Sequence, residues 1–343
     1  VNKPLRIAVD AMGGDEAPRS VILGALEARR ERGNFFDLLL VGDRGRIERE
    51  LKEAGEDPST WNIRHTTEII EMGDPPAVAV RRKKDSSINV GVMMEKEGSV
   101  DAFFSAGNTG AVVAASLFTL GRLESVSRPA IPTYMPTRRG YGIVLDVGAN
   151  SDCTPQNLLQ FAVMGNVYAE RVLSVQNPAV GLLNIGEESG KGNETAAGAH
   201  RLLKESGLHF IGNVEGRDVF RGKADVVVCD GFVGNVVLKF SESLVHILQW
   251  MVKDEIRKNL FVRIGAVLMG PAFRNITQKL DYAEYGGCPL LGVDGVVIIG
   301  HGNSSPRAIK NAIFVAEKSV EANMNELIVE RLRGTAGVLE RIS

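Results

Sequence analysis

The sequence has little cysteine, little histidine and almost no net charge. Cys153, Cys229 and Cys288 are too few and too scattered for a disulfide framework or a Cys-x-x-Cys metal site. His65, His200, His209, His246 and His301 show no His-Glu-x-x-His spacing, so no metal is expected. Lys plus Arg total 40 and Asp plus Glu 42, a net charge of −2. A chain so balanced lacks the cationic excess that phosphate backbones attract, and no nucleic acid partner is expected. No apolar run reaches the length of about 18 residues that a membrane helix needs, and the opening segment VNKPLRIAVDAMGGD has no signal-peptide core. These absences predict a cytoplasmic protein. No Gly-x-Gly-x-x-Gly follows the first apolar run, and no Gly-x-Ser-x-Gly elbow occurs. NAD bound by its usual fingerprint and an elbow-type hydrolase are both disfavoured, and no cofactor is expected.

Glycine, by contrast, is abundant: 38 of 343 residues, with no collagen period or low-complexity block to absorb them. A chain of this length that is 44% hydrophobic can bury a sizeable core. Short apolar, β-branched runs recur at 6–9, 38–41, 101–104, 143–145, 181–185, 225–228 and 296–299, separated by amphipathic stretches. Buried strands alternating with helices predict an α/β protein of three layers, α/β/α, around a mostly parallel sheet. No Pro/Ser-rich linker divides the chain, so residues 1–343 are expected to form one two-lobed domain. Two helix starts are clear. Thr154-Pro155 and Ser305-Pro306 each place a capping hydroxyl before a proline at the first helical position.

The glycines concentrate just after the apolar runs. Asp10-Ala11-Met12-Gly13-Gly14-Asp15, Ser105-Ala106-Gly107-Asn108-Thr109-Gly110, Asp146-Val147-Gly148-Ala149-Asn150, Asp230-Gly231-Phe232-Val233-Gly234-Asn235 and His301-Gly302-Asn303 all do so, as does the stretch from Asn184 to Asn193. In an open parallel sheet such loops share one edge, the carboxyl ends of the strands, where ligands bind. Glycine lets backbone approach a ligand, and the helix that follows offers free N–H groups and a positive dipole end. Such an edge suits a small anion.

Within these loops a few side chains stand out. Gly186-x-x-x-Gly190-Lys191-Gly192 misses the P-loop pattern by one residue and by its Ser/Thr. Lys191 nonetheless suits a phosphate oxygen or an oxyanion, unless it is an ordinary solvated lysine. Asn235 can donate an amide N–H to an oxygen turning negative, or cap a turn. His301 suits acid/base or supporting roles, or a structural one. Cys229 ends an apolar run and reads as packing rather than as a nucleophile. The segment 241–275 differs from the rest. Leu244, Ile247, Leu248 and Met251 follow helical spacing, a charged stretch follows, and then comes Leu260-Phe261-Val262. Charges interrupt it too soon for a span, which leaves docking at a bilayer surface, a subunit interface or internal packing. Arg81-Arg82-Lys83-Lys84 reads as a solvated helix face or as a docking site for an acidic partner.

Six segments in this order resemble the PlsX-type bacterial phosphate acyltransferases: 8–15, 105–110, 146–150, Lys191-Gly192-Asn193-Glu194, Asp230-Gly231-Phe232-x-Gly234-Asn235 and Tyr285-Gly286-Gly287. The resemblance runs from Ile7 to about Ala316. It implies transfer of a long-chain fatty acyl group from acyl-carrier protein to inorganic phosphate, giving the acyl phosphate that a glycerol-3-phosphate acyltransferase then uses in phospholipid synthesis. It also implies a fold similar to isocitrate and isopropylmalate dehydrogenases with a protruding apolar helical segment, a homodimer, and peripheral contact with the membrane. By this resemblance Lys191 and Asn235 are catalytic. Substrate or phosphate contacts are expected from Asp10, Gly13, Gly14, Asp15, Gly107, Asn108, Thr109, Gly110, Asn150, Asn193, Asp230, Gly231, Gly234 and His301. The chemistry agrees with the residues: a thioester is already activated and phosphate is already an anion, so positioning and oxyanion stabilisation suffice. The rival readings are a phosphotransacetylase-like enzyme using short-chain acyl-CoA, a metal- and NAD-dependent decarboxylating dehydrogenase, and a non-catalytic binding protein.

Overall fold

The computed structural model describes residues 4–280 and 286–342. In chain order the first part comprises β1 (Leu5–Asp10), α1 (Arg19–Arg32), β2 (Phe36–Gly42), α2 (Arg44–Glu53), β3 (Asn62–His65), α3 (Pro76–Arg82), α4 (Ser87–Lys96), β4 (Ala102–Ser105) and α5 (Thr109–Thr119). The second comprises β5 (Pro132–Thr137), β6 (Gly140–Leu145), α6 (Pro155–Arg171), β7 (Val180–Leu183), α7 (Glu194–Glu205), β8 (Phe210–Val214), α8 (Gly216–Arg221), β9 (Val226–Val228) and α9 (Gly231–Lys258). Helices α10 (Leu260–Leu268) and α11 (Gly270–Leu280) follow, then β10 (Cys288–Pro289), β11 (Val297–Ile299), α12 (Pro306–Glu321) and α13 (Met324–Ile342).

The mostly parallel sheet is carried as two sheets, one per lobe. The first has the order β10-β11-β4-β1-β2-β3 and the second β5-β6-β9-β7-β8. Among the described strand pairs, only β10–β11 and β5–β6 are antiparallel. The lobes are not successive in sequence, because β10 and β11 return to the first sheet after the second is complete.

Alternation along the strands sets the layers. Ile7 and Val9 of β1 pack with α1 and α12, while Ala8 points the other way. In the second sheet Ile143, Leu145, Val226 and Val228 pack with α6, α7 and α13. Val144 and Val227, on the opposite face, join the same core cluster as Ala8 and Phe103 of the first sheet and Val112 of α5. The inner faces of both sheets therefore share one core. Both expected helix starts are present: Thr154 accepts from Asn157 N ahead of Pro155, and Ser305 accepts from Ala308 N ahead of Pro306.

The segment 241–275 is helical, built from the distal part of α9, α10 and most of α11. Of the 28 residues of α9 only Gly231 and Gly234 are buried. Phe240, Leu244, Leu248, Trp250 and Met251 are exposed, as are Phe261, Val267 and Leu268 of α10.

Candidate active site

In the first lobe the loops after β1, β4 and β11 leave from adjacent strands and interlock. The strand order reverses between β1 and β4, and a switch point of that kind opens a crevice in doubly wound sheets. Asp15 N donates to Gly302 O at 2.7 Å. A Cβ on Gly13 would sit 2.6 Å from both Asp10 Oδ2 and Gly107 N, so only glycine permits this approach. Asp10 lies beneath, 1% exposed. Its carboxyl accepts from Ser105 Oγ at 2.7 Å and from Met12 N at 3.0 Å. Burial pushes its pKa above the ordinary carboxylate range, against the pull of these donors.

The second lobe repeats the device. Asp146, just past β6, is buried and accepts from Ile131 N, Ala149 N, Asn150 N and Asn150 Nδ2 at 2.8–3.2 Å. Burial raises its pKa too. Asn150 N and Nδ2 are thereby spent, Nδ2 also donating to Pro129 O at 2.7 Å. Gly231 N donates to Asn150 O at 2.7 Å, which ties the β9 loop to the β6 loop. A Cβ on Gly234 would meet Asp146 O at 1.9 Å, so α9 can start here only with glycine at that position. Cys229 is buried, its thiol donating to Asp146 O at 3.6 Å, and burial raises its pKa well above the free value. It is packing, as its place in an apolar strand suggested.

Between the lobes lies a cavity of about 1290 Å³. Its wall includes Thr109 and Gly110 at the start of α5, Gly300–Gly302 after β11, Val147–Ala149 after β6, and Asn235 in the first turns of α9. Of the residues expected in a site, the structure thus brings Thr109, Gly110, Asn235 and His301 to one hollow. Asn235 packs beside Gly148. His301 faces Glu242 of α9, with Nε2 3.6 Å from Oε1. Burial lowers the imidazole pKa, Glu242 raises it and Lys239 lowers it; the sum is downward, so the ring favours its neutral form near pH 7. Lys239 pairs with the same Glu242 at 2.9 Å.

The other expected residues stand behind this wall or beside it. Asn108, Asn193 and Asp230 are N-caps of α5, α7 and α9, accepting from Ala111, Ala196 and Val233 N. Asn108 Nδ2 also bonds the carbonyls of Glu71, Met72 and Asp74. Asp10, Gly13, Gly107, Asn150, Gly231 and Gly234 are buried loop supports. Gly14 and exposed Asp15 belong to the β1 loop, against Gly302. Lys191 is exposed on the loop after β7 and is not part of the cavity wall. Asn184 Nδ2 holds its carbonyl at 2.9 Å. Because β7 neighbours β9, the loop bearing Lys191 and the link into α9, which bears Asn235, leave from adjacent strands, spaced about 4.8 Å. Tyr285 lies outside the described residues, whereas Gly286 and Gly287 line the cavity.

Sequence reasoning missed one whole wall. Thr133–Arg138 and Tyr141 on the β5–β6 hairpin, Phe220 of α8 and Cys288 all line the cavity. Burial pushes the Cys288 thiol up to about 12, so it remains protonated. The polar face of α9 was missed as well: Lys239, Glu242, His246 and Gln249 line the cavity at helical spacing after Asn235. The signal was present in the sequence, since the apolar residues of 244–251 leave the opposite arc polar.

A family model described as fatty acid synthesis protein matches residues 5–327. A phosphate acyltransferase of Heliobacterium modesticaldum is 54% identical over 331 residues, covering 96% of this chain and 98% of that protein. Another from Moorella thermoacetica is 51% identical over 321 residues, covering 93% and 94%. Among solved structures, a phosphotransacetylase from Streptococcus pyogenes has a TM-score of 0.63 at 17% identity, covering 94% of this chain and 95% of that one. A 4-hydroxythreonine-4-phosphate dehydrogenase from Klebsiella pneumoniae has a TM-score of 0.53 at 13% identity, covering 93% and 98%. These two establish likeness of fold alone, and that fold is the dehydrogenase-like one that the resemblance implies. On the match of half-identical relatives over nearly its whole length, the chain belongs to the family of fatty acid synthesis proteins, the phosphate acyltransferases.

Proposed function

We propose that this enzyme transfers a long-chain acyl group from acyl-carrier protein to inorganic phosphate, in the cavity between the lobes. The observation that carries the reading is the convergence on one cavity of the start of α5, with Thr109 and Gly110, and the start of α9, with Asn235. The positive dipole ends of two helices favour an anion, and so do the N–H groups of a first turn. A phosphate oxygen attacks the thioester carbonyl, the C–O bond forms, the C–S bond breaks, and the proton of hydrogen phosphate passes to the leaving thiolate. Asn235 donates to the carbonyl oxygen as it turns negative. Neutral His301 at the cavity wall is suited to carry the proton. Lys191 serves phosphate from the adjacent loop with its long flexible stem. The buried Asp10 and Asp146 act on none of these atoms and hold the loops that do.

The cavity volume favours a large donor. At about 1290 Å³ it exceeds the roughly 300–1,000 Å³ of common small-ligand sites. Acetyl-CoA chemistry needs less apolar room. The enzyme works at the membrane surface, where the polar face of α9 lines the cavity and the apolar face points outward through Phe240, Leu244, Leu248 and Met251. α9 is long and apolar enough to cross a bilayer by length and composition. Its polar face, committed to the cavity, favours an interfacial position instead. The same apolar face also suits a second copy of the chain, with homodimerisation beside membrane contact. The test is palmitoyl-carrier protein plus phosphate, followed for acyl phosphate. Formation with the carrier thioester, and at most a small fraction of that rate with acetyl-CoA, is expected. The reverse preference overturns the assignment.

A further inference from the structure

The β5–β6 turn carries two adjacent arginines, Arg138 and Arg139, both exposed. Arg138 forms part of the cavity wall. Neither guanidinium makes an ion pair among the described residues. Three cations on and just after α8 do. Arg217 pairs with Glu215 at 2.9 Å, Arg221 with Asp218 at 3.5 Å, and Lys223 with Glu187 at 2.9 Å. Within the cavity Lys239 and His301 share Glu242. Arg138 at the cavity wall and Arg139 beside it thus form a local pair of unneutralised cations on a chain whose net charge is −2.

The turn is held rather than floppy. Arg138 N donates to Phe220 O at 3.0 Å, and Arg139 N donates to Thr137 Oγ1 at 3.1 Å. Gly222 at the end of α8 packs against Thr137 and Arg139. The backbone therefore presents both side chains outward from a fixed base. Two long cations kept unpaired at the entrance to an anion-binding cavity are a recognition element for negative charge arriving from solvent.

We propose that this turn is the docking point of an acidic acyl carrier, with Arg138 and Arg139 receiving the carboxylates or the arm phosphate that flank its thioester. The proposal rests on the carrier-dependent reading above. Arg81 and Arg82 are the competing basic surface, and they fit less well. Arg81 lies over the ring of Phe118 at 5.2 Å, and the following Lys83 is bound to Asp74 at 2.6 Å.

The experiment is steady-state kinetics with palmitoyl-carrier protein for the unaltered enzyme, Arg138→Glu/Arg139→Glu, Arg138→Lys/Arg139→Lys and Arg81→Glu/Arg82→Glu. Charge reversal at the turn should raise KM for the carrier about tenfold or more, with a smaller change in kcat at saturation. The lysine pair should restore most of the affinity, and reversal at Arg81 and Arg82 should leave KM unchanged. For the unaltered enzyme KM should climb with added salt, and charge reversal at the turn should flatten that climb. A KM within about twofold of the unaltered value in a folded turn variant overturns the proposal. So does a change of oligomeric state in light scattering with KM unchanged, which assigns the arginines to a subunit contact. If the turn variant does not fold, a KM of the unaltered enzyme that ignores salt overturns it equally. Absence of any acyl phosphate from the unaltered enzyme and carrier thioester sinks the functional reading itself, a different result.

Discussion

Helices α12 and α9 both follow an interior strand, and both start on a capping side chain, Ser305 and Asp230. Beyond the first turn they part. α12 buries Ala308, Ile309, Ala312, Ile313 and Ala316 in the first lobe, against α1 and the sheet. α9 turns its polar arc to the cavity and leaves its apolar arc exposed along most of its length. The same strand–loop–helix unit thus serves two ends. In α12 the apolar face stabilises the fold by burial, about 25 cal/mol per Å² removed from water. In α9 the apolar face is left exposed, and the helix lines the cavity through polar residues.

The largest effects should fall at Asn235 and Lys191. Asn235→Ala removes the proposed oxyanion donor, and turnover is expected to fall by about 100-fold or more, with the melting temperature retained. Lys191→Ala should lose as much. Single-turnover assays check both, and near-normal turnover in either removes that residue from the chemistry. Next come the paired supports. Asp10→Ala and Asp146→Ala each strand several buried donors, at about 1–3 kcal/mol for a group left unsatisfied. Urea unfolding should show similar losses in the two lobes. A loss confined to one of them breaks the correspondence between the loops.

A smaller effect follows from Glu95 in α4. Its carboxyl accepts from Val296 N, and its Oε2 has no partner among the described residues. Burial, with lesser contributions from Asp294 and Asp101, lifts its pKa from 4.5 to about 8. Between those values the folded chain holds a proton that the unfolded chain has lost. Stability from this group is therefore full at low pH and falls as pH rises through the window, by about 1.4 kcal/mol per pH unit at most. Glu95→Gln should flatten that fall in unfolding experiments at about pH 5 and 8; an unchanged slope rules the group out. The smallest effect on the fold belongs to α10. Replacing Phe261, Val267 and Leu268 by serine should release the enzyme from anionic liposomes while changing stability by about 0.5 kcal/mol or less per site. Retained liposome binding, with loss of a dimer, would give the apolar surface to a second copy instead.

How much of this was legible beforehand divides along physical lines. The seven apolar runs noted in the sequence are the seven interior strands of the two sheets, β11, β4, β1 and β2 in one and β6, β9 and β7 in the other. The strands that escaped notice, β3, β5, β8 and β10, are the four edges. An interior strand is covered on both faces and must be apolar throughout, whereas an edge strand tolerates Pro132 and Pro136, as β5 does, and exposed Asn62 and Arg64, as β3 does. The glycine loops were legible for the same kind of reason, since Gly13 and Gly234 answer local steric demands.

Burial and local backbone geometry are written into residue type, so the sequence alone determined the α/β class, the helix starts, the glycine-bearing loops after the strands and the family. It could not rank those loops. Whether Asp10 faces a ligand or lies under Gly107, and which arc of α9 meets the cavity, depends on how the two sheets share a core. The cavity arises between residues far apart in the chain, Thr109 and Asn235 among them, and only their packing brings them to one hollow.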